Sequence, residues 1–190
     1  MMKLTILALS FLSLALAPVR AMDVLFSKPA NISSVCGVIA ASGGLNVVVA
    51  PRVDHPVTFT VSRVSAVEAL ELLCRAENLR LQRAGFVTGP PAYLVLPKDA
   101  APFTALPPVA HPESATFVIP RAVPLANIFR LIGLRAGVNI VVGSAVDAEM
   151  ALTLKSIDPI EAMELVAAAN DLTVTEQKVG GQRTFLVARR

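Results

Sequence analysis

The chain carries an internal duplication. Residues 44–79 align without a gap on residues 137–172 at an offset of 93 positions, and 13 of the 36 aligned pairs are identical. The identical pairs begin with Gly44 and Gly137 and end with Leu79 and Leu172, and most other pairs keep their apolar or polar character. A fixed period indicates repeated copies of one structural unit. We therefore expect two copies of one small module, each packed as an independent lobe.

The first 21 residues have the pattern of a secretory signal peptide. Lys3 precedes a mainly apolar stretch at positions 4–16, and the small residues Val19 and Ala21 follow as a cleavage signal. The less favoured alternative is a membrane anchor, which needs about 20 apolar residues, whereas Pro18 and Arg20 come too early for that. We expect residues 1–21 to be removed and the remainder to lie in the periplasm.

The charge of the mature chain argues against nucleic acid as a partner. Removal of residues 1–21 takes away Lys3 and Arg20 but no acid, so the formal net charge falls from +3 to about +1. A nearly neutral chain with no run of Lys or Arg and 5% aromatic residues lacks the basic surface that nucleic-acid binding requires. No stretch of the mature chain approaches the length of a transmembrane segment.

A proline-rich linker is predicted between the modules. Residues 97–114 contain five prolines and no consistent apolar period, a composition that favours an extended, semi-rigid segment. The alternative is that Phe103 and Leu106 hold this segment against a module surface. We place the first module at residues 22–97, the linker at 98–114 and the second module at 115–190.

Each module shows the same succession of patterns and predicts an α+β fold with the order βαββαββ. A short alternating strand is followed by a helix that ends near glycine, two strands, a second helix and a closing hairpin. Ser65 with Glu68, and Asp158 with Glu161, have the spacing of a helix N-terminal capping box. The carboxylates expected to face solvent from the second helix of each module are Glu68, Glu71, Glu161 and Glu164.

The two cysteines fall on different helices of the first module. In the duplication Cys36 corresponds to Phe129 and Cys74 to Ala167. A large residue at one position and a small one at the other suit two facing core sites that share a fixed volume. In an oxidising compartment two such cysteines can bond. We predict a Cys36–Cys74 disulfide, with two buried thiols on neighbouring helices as the alternative.

The sequence offers little for catalysis or for a cofactor. His55 and His111 each precede a proline, and neither stands near a nucleophile at a recognisable spacing. The two glycine pairs lack the spacing of a phosphate-binding loop. Two cysteines without a CxxC motif or a nearby histidine do not make a metal site. We therefore predict a non-enzymatic protein with no cofactor and no metal.

Both modules contain a Gly-x-Asn strand, a Val-Asp pair, a Thr-containing strand and an amphipathic helix in the same order. In the first copy these lie at 44–49, 53–54, 57–61 and 64–73, and in the second at 137–142, 146–147, 152–154 and 157–165. In these residues the modules resemble the short domain found at the N-terminus of secretins and of TonB-dependent transducers, the STN domain. The resemblance covers almost all of the mature chain outside the linker.

The resemblance implies a periplasmic docking or ring-assembly module with two helices held between small sheets. The leading hypothesis is an accessory component of a secretin-type secretion or type IV pilus apparatus, which binds a secretin or its inner-membrane partners and also self-associates. The alternative is a signalling module of a transducer and anti-sigma pathway. A periplasmic hydrolase, which would need a concave polar site, is a third hypothesis.

Open strand edges are the surfaces expected to bind a partner. Small sheets leave unpaired N–H and C=O groups at their edges, to which another extended chain can add. We predict that the last strand of each module is such an edge, with Arg183, Arg189 and Arg190 near the second one. The predicted edge residues are Tyr93, Leu94, Val95, Leu96, Thr184, Phe185, Leu186 and Val187.

Overall fold

The computed structural model describes residues 21–85, 89–103, 114–179 and 181–190. The predicted signal peptide lies outside the described residues except for Ala21. Most of the predicted linker, including Leu106 and His111, also lies outside them. None of the helices in the described ranges combines the length and the apolar character that crossing a membrane requires.

The first module contains two helices and five strands. In chain order they are β1 (Met22–Asn31), α1 (Ile32–Gly43), β2 (Asn46–Val49), a 3-10 turn (Pro51–Val53), β3 (Pro56–Val64), α2 (Ala66–Ala76), β4 (Leu79–Arg83) and β5 (Ala92–Pro97). The second module repeats this order as β6 (Ala115–Pro124), α3 (Leu125–Ala136), β7 (Asn139–Val142), β8 (Glu149–Ile157), α4 (Pro159–Ala169), β9 (Leu172–Val179) and β10 (Gln182–Arg189). The predicted α+β class and βαββαββ order are confirmed.

Each module has one two-stranded and one three-stranded sheet. β1 pairs antiparallel with β3, and β5 lies between β2, to which it is parallel, and β4, to which it is antiparallel. The second module repeats this with β6 on β8 and with β10 between β7 and β9. The two helices of a module contact each other and strands of both sheets. This arrangement gives each module a three-stranded sheet with one face on its own helices.

The prediction that the last strand of each module is an edge is wrong. Tyr93, Leu94, Val95 and Leu96 lie in β5, and Thr184, Phe185, Leu186 and Val187 lie in β10. Both strands are central, with a hydrogen-bonded neighbour on each side. The reason is topological, because the early strand β2 or β7 pairs in parallel with the last strand and covers its second edge. The edges of the three-stranded sheets are β2, β4, β7 and β9.

Local signals in the sequence specify the ends of the helices. Gly44 and Gly137 adopt the left-handed conformation that ends α1 and α3. At the start of α2 the Glu68 N–H donates to Ser65 Oγ, and the Ser65 N–H donates to Glu68 Oε2, which completes the predicted capping box. These hydrogen bonds lower the pKa of Glu68. Asp158 accepts from the Ile160 and Glu161 N–H groups at the start of α4.

The buried side chains of both modules form one continuous cluster rather than two. Phe129 and Phe185 are its largest fully buried members in the second module, and Leu70, Leu73 and Leu94 are among those in the first. The expectation of two independently packed lobes is therefore wrong. The physical reason is that one face of the first module's three-stranded sheet is apolar and is covered by the second module.

The start of the predicted linker lies against the first module. Gln82 of β4 donates from Nε2 to the Phe103 carbonyl oxygen at 2.7 Å, and the Phe103 N–H donates to Gln82 Oε1 at 3.1 Å. Arg80 donates to the carbonyl oxygen of Ala101. The alternative in which Phe103 holds this segment against a module surface is thus the one observed, whereas Leu106 lies outside the described residues.

Candidate protein-interaction surface

The contact between the modules joins unlike surfaces. The outer face of the β2–β5–β4 sheet, on the side away from α1 and α2, receives α4 and β8 of the second module. Successive residues of a strand point to opposite faces, so this outer face is formed by Asn46, Val48 and, on β5, Leu94. All three are buried. The first module therefore uses a sheet as a protein-binding surface.

Asn46 makes the most specific contact in this interface. Its Nδ2 donates to the Lys155 carbonyl oxygen at 2.9 Å, and the Lys155 N–H donates to its Oδ1 at 2.7 Å. An amide side chain offers the same donor and acceptor as a peptide group, so Asn46 pairs with the backbone of β8 as a neighbouring strand would. With 1% of its surface exposed, this polar side chain is buried and satisfied across the module boundary.

Two further contacts align the modules. Gly89, in the turn between β4 and β5, lies against the carbonyl oxygen of Ser156 so closely that no Cβ fits there. Gly89 also has a φ of +74°, a conformation that favours glycine. Arg52 and Asp171 form an ion pair of 2.8 Å on the exposed rim, where such a pair contributes little to stability. The backbone contact at Gly89 constrains the approach of β8 more strongly.

The same sheet face of the second module is open. The hydrogen-bonded register makes Asn139, Val141 and Leu186 the counterparts of Asn46, Val48 and Leu94. Val48 is 1% exposed and Val141 53%, whereas Leu94 is 0% exposed and Leu186 37%. Asn139 is also exposed, and its amide donates to Gln182 Oε1. We call Asn139, Val141 and Leu186 the open sheet face.

The surface that docks on the first module also has an open counterpart. Leu165 of α4 is fully buried, whereas Leu72, at the same position of α2, is 38% exposed. Ser62 of β3 is the counterpart of Lys155, and both residues are exposed. We call Ser62 of β3 and the exposed Glu71 and Leu72 of α2 the open helix face. Each side of the intrachain interface therefore occurs a second time in the described residues without a bound module.

One predicted solvent-facing carboxylate belongs to this interface. Glu68 and Glu71 are exposed as expected, and Glu161 is half-buried, but Glu164 is buried. The prediction for Glu164 is wrong because α4 is covered on two sides, by its own module and by the first module's sheet. A signal was present in the sequence, since after Glu164 the helix continues with five apolar residues to Ala169, whereas α2 has Arg75 at the corresponding stretch.

The cysteines are two free, buried thiols. The predicted disulfide is absent from this structure, which shows the alternative, thiols on the neighbouring helices α1 and α2. Burial raises the pKa of the Cys36 thiol, and the nearby Cys74 and Asp54 raise it further. Burial, with Glu71 nearby, raises the pKa of Cys74 from 9.0 to about 12. Both groups are thus protonated and unreactive at neutral pH.

An open groove of about 570 Å³ lies between α1 and the β6–β8 pair. Its polar lining includes Ser33, Asp54, Glu149 and Lys155, and it contains no histidine and no cysteine. Asp54 accepts hydrogen bonds from both the N–H and the hydroxyl of Ser33, each at 2.8 Å, so it acts as a cap for α1. In the part of the chain that the structure describes, His, Cys, Asp and Glu side chains form no cluster suited to a metal.

Comparisons with known proteins give one structural similarity. No protein-family model matches the chain, and no curated protein matches it. A chain from the crystal structure of the enterotoxigenic Escherichia coli GspC–GspD complex from the type II secretion system is 18% identical, with a TM-score of 0.35. The similarity covers 77% of this chain and 96% of that one. At this identity and TM-score, the similarity does not establish a common fold or a common function.

Proposed function

We propose that this chain is an exported, non-enzymatic protein-interaction component of a secretin-type secretion or type IV pilus apparatus. The observation that carries the proposal is the use of one sheet face as a docking surface for α4 and β8 inside the chain. The same face of the second module is apolar at Val141 and Leu186 and remains exposed. The equivalent face of the first module is buried by a docked module. An exposed apolar face of the same kind is therefore suited to bind another protein.

The identity of the partner rests on the resemblance of both modules to the STN domain. Such a domain in a secretin offers the same kinds of surface, a small sheet and an amphipathic helix, so it can dock as the second module does on the first. The predicted signal peptide at residues 1–21 supports a periplasmic location for this binding. In the proposed non-enzymatic role, Asp54 of the groove serves as a helix cap for α1.

Affinity purification from membrane extracts tests the proposal. We expect the tagged protein to recover a secretin or its inner-membrane partner after mild cross-linking. Leu186→Glu, which puts a charge on the open sheet face, should abolish this recovery. The matched control is Lys178→Glu on β9, which lies on an exposed strand but points to the opposite face of the sheet.

The outcomes separate the alternatives. Recovery of a TonB-type receptor or an anti-sigma regulator in place of a secretin would favour the signalling hypothesis. Recovery of neither class, with the protein exported and folded, would contradict both. Equal recovery with Leu186→Glu and with the wild type would show that the open sheet face is not the binding surface.

A further inference from the structure

The two open faces of this chain have the residue types of the two sides of its internal interface. The open sheet face carries an asparagine, a valine and a leucine, the same three residue types as Asn46, Val48 and Leu94. The open helix face carries Glu71 and Leu72, the same pair as Glu164 and Leu165. The second module thus presents the kind of sheet surface on which a module docks, and the first module presents the kind of helix surface that docks on it.

The backbone of the inserting strand is also repeated. Ser156, whose carbonyl oxygen contacts Gly89, has a φ of +48°, and its counterpart Arg63 has a φ of +56°. In each case a side chain from the paired strand accepts a hydrogen bond from the N–H of this residue, Thr116 for Ser156 and Asp23 for Arg63. β3 therefore keeps the local backbone shape that β8 uses for docking, and both strands are exposed at these positions.

The receiving side is repeated at one glycine. Gly181 is the counterpart of Gly89 and has a φ of +81°, close to the +74° of Gly89. A Cβ placed at Gly89 meets the carbonyl oxygen of Ser156, whereas one placed at Gly181 meets no described atom within 4 Å. Gly181 therefore repeats the positive φ of Gly89 and, among the described residues, has space beside it.

We propose that the open sheet face of one copy binds the open helix face of a second copy, in the arrangement that the two modules adopt within one chain. Asn139 would exchange its hydrogen bond to Gln182, which is exposed, for the backbone N–H and C=O of Ser62 in the second copy. The two faces differ, so the contact is heterologous. Each added copy leaves one free face of each kind, and the assembly grows into a ring or a filament.

The copy–copy contact should be weaker than the internal one. The ion pair between Arg52 and Asp171 has no counterpart, because Ala145 and Asn78 occupy the equivalent positions. In addition, Arg75 follows Leu72 by three positions in α2, whereas the smaller Ala168 occupies the equivalent position after Leu165 in α4. Tethering in one chain adds a high effective concentration to the internal contact alone. Association between copies is therefore expected to depend on protein concentration.

Sedimentation velocity of the purified protein, from about 1 µM to about 1 mM, tests the inference. The wild type should sediment faster as its concentration rises. Val141→Glu, on the open sheet face, and Leu72→Glu, on the open helix face, should each remain monomeric. Both side chains are exposed, so both variants should keep the circular dichroism spectrum of the wild type. Leu25→Glu, which changes a 72% exposed leucine outside both faces, is the control and should associate like the wild type.

A mixture of the two variants gives the decisive measurement. The Val141→Glu copy retains an intact helix face and the Leu72→Glu copy an intact sheet face, so an equimolar mixture should form a complex of one copy of each. A wild type that is monomeric at every concentration, or a mixture without a two-chain complex, would overturn the inference. The inference goes beyond the proposed function, since a protein that never self-associates but recovers a secretin would overturn the former and support the latter.

Discussion

Asn46 joins the two modules through its side-chain amide, so its removal is a direct test of the module interface. Asn46→Ala deletes two hydrogen bonds, of 2.9 and 2.7 Å, to the backbone of Lys155. It leaves the Lys155 N–H and C=O without these partners at a partly buried contact. Each such group left unsatisfied costs about 1 to 3 kcal/mol. With two groups affected and some access for water, we expect the free energy of unfolding to fall by about 2 to 4 kcal/mol.

The duplication supplies a matched control at Asn139. Asn139→Ala is the same chemical change at the equivalent position, but the amide of Asn139 bonds to Gln182 on the exposed surface. Its effect on the free energy of unfolding should be about 0.5 kcal/mol or less. Urea denaturation followed by far-ultraviolet circular dichroism measures both values. Because the buried side chains form one cluster, we expect the wild type to unfold in one transition.

Two results would refute this reasoning. Equal, small losses for Asn46→Ala and Asn139→Ala would mean that Asn46 does not bridge the modules in solution. Two separate transitions in the wild type, with only one of them sensitive to Asn46→Ala, would mean that the modules unfold independently and that the shared core contributes little.

Three further changes test other parts of the structure. Gly89→Ala should lower the free energy of unfolding by about 1 to 3 kcal/mol more than Gly181→Ala, because the two share a positive φ but only Gly89 adds a clash; equal melting temperatures would contradict this. Ser65→Ala should cost about 1 kcal/mol through loss of the α2 cap, and Ser65→Thr should recover most of it in urea denaturation. The raised pKa of Cys74 means that stability is retained below about pH 9 and falls as pH rises towards about 12, because only the unfolded thiol ionises there. Cys74→Ala should flatten that decline in urea midpoints between pH 7 and 10, and an unchanged slope would exclude this group as its cause.

The features that could be predicted from the sequence are those determined by near neighbours along the chain. Ser65 and Glu68 are three residues apart, and their mutual hydrogen bonds depend on one turn of helix. Gly44 and Gly137 end helices because glycine adopts a positive φ at little cost. The order of helices and strands follows from apolar periodicity, which the duplication shows twice. These features can be predicted because the same short-range sequence signals occur in both copies.

The candidate surface could not be predicted because it depends on contacts between distant residues. Asn46 and Lys155 are 109 positions apart, and nothing near Asn46 distinguishes it from Asn139. The same applies to the edge strands, since the parallel pairing of β2 with β5 decides which strand is central. Glu164 is the partial exception, because the apolar run that follows it in α4 indicated a helix covered on two sides.

The sequence alone determined the repeated βαββαββ module, the starts of α2 and α4 and the glycine ends of α1 and α3, because these follow from short-range backbone and side-chain preferences. The shared core, the central position of β5 and β10, and the different exposure of equivalent sheet faces in the two modules all depend on the folded arrangement of the whole chain. The physical reason is that equivalent residues acquire different environments when one module docks on the other. A repeated sequence encodes the same surface twice. The position of each copy in the folded chain determines whether that copy is buried or exposed.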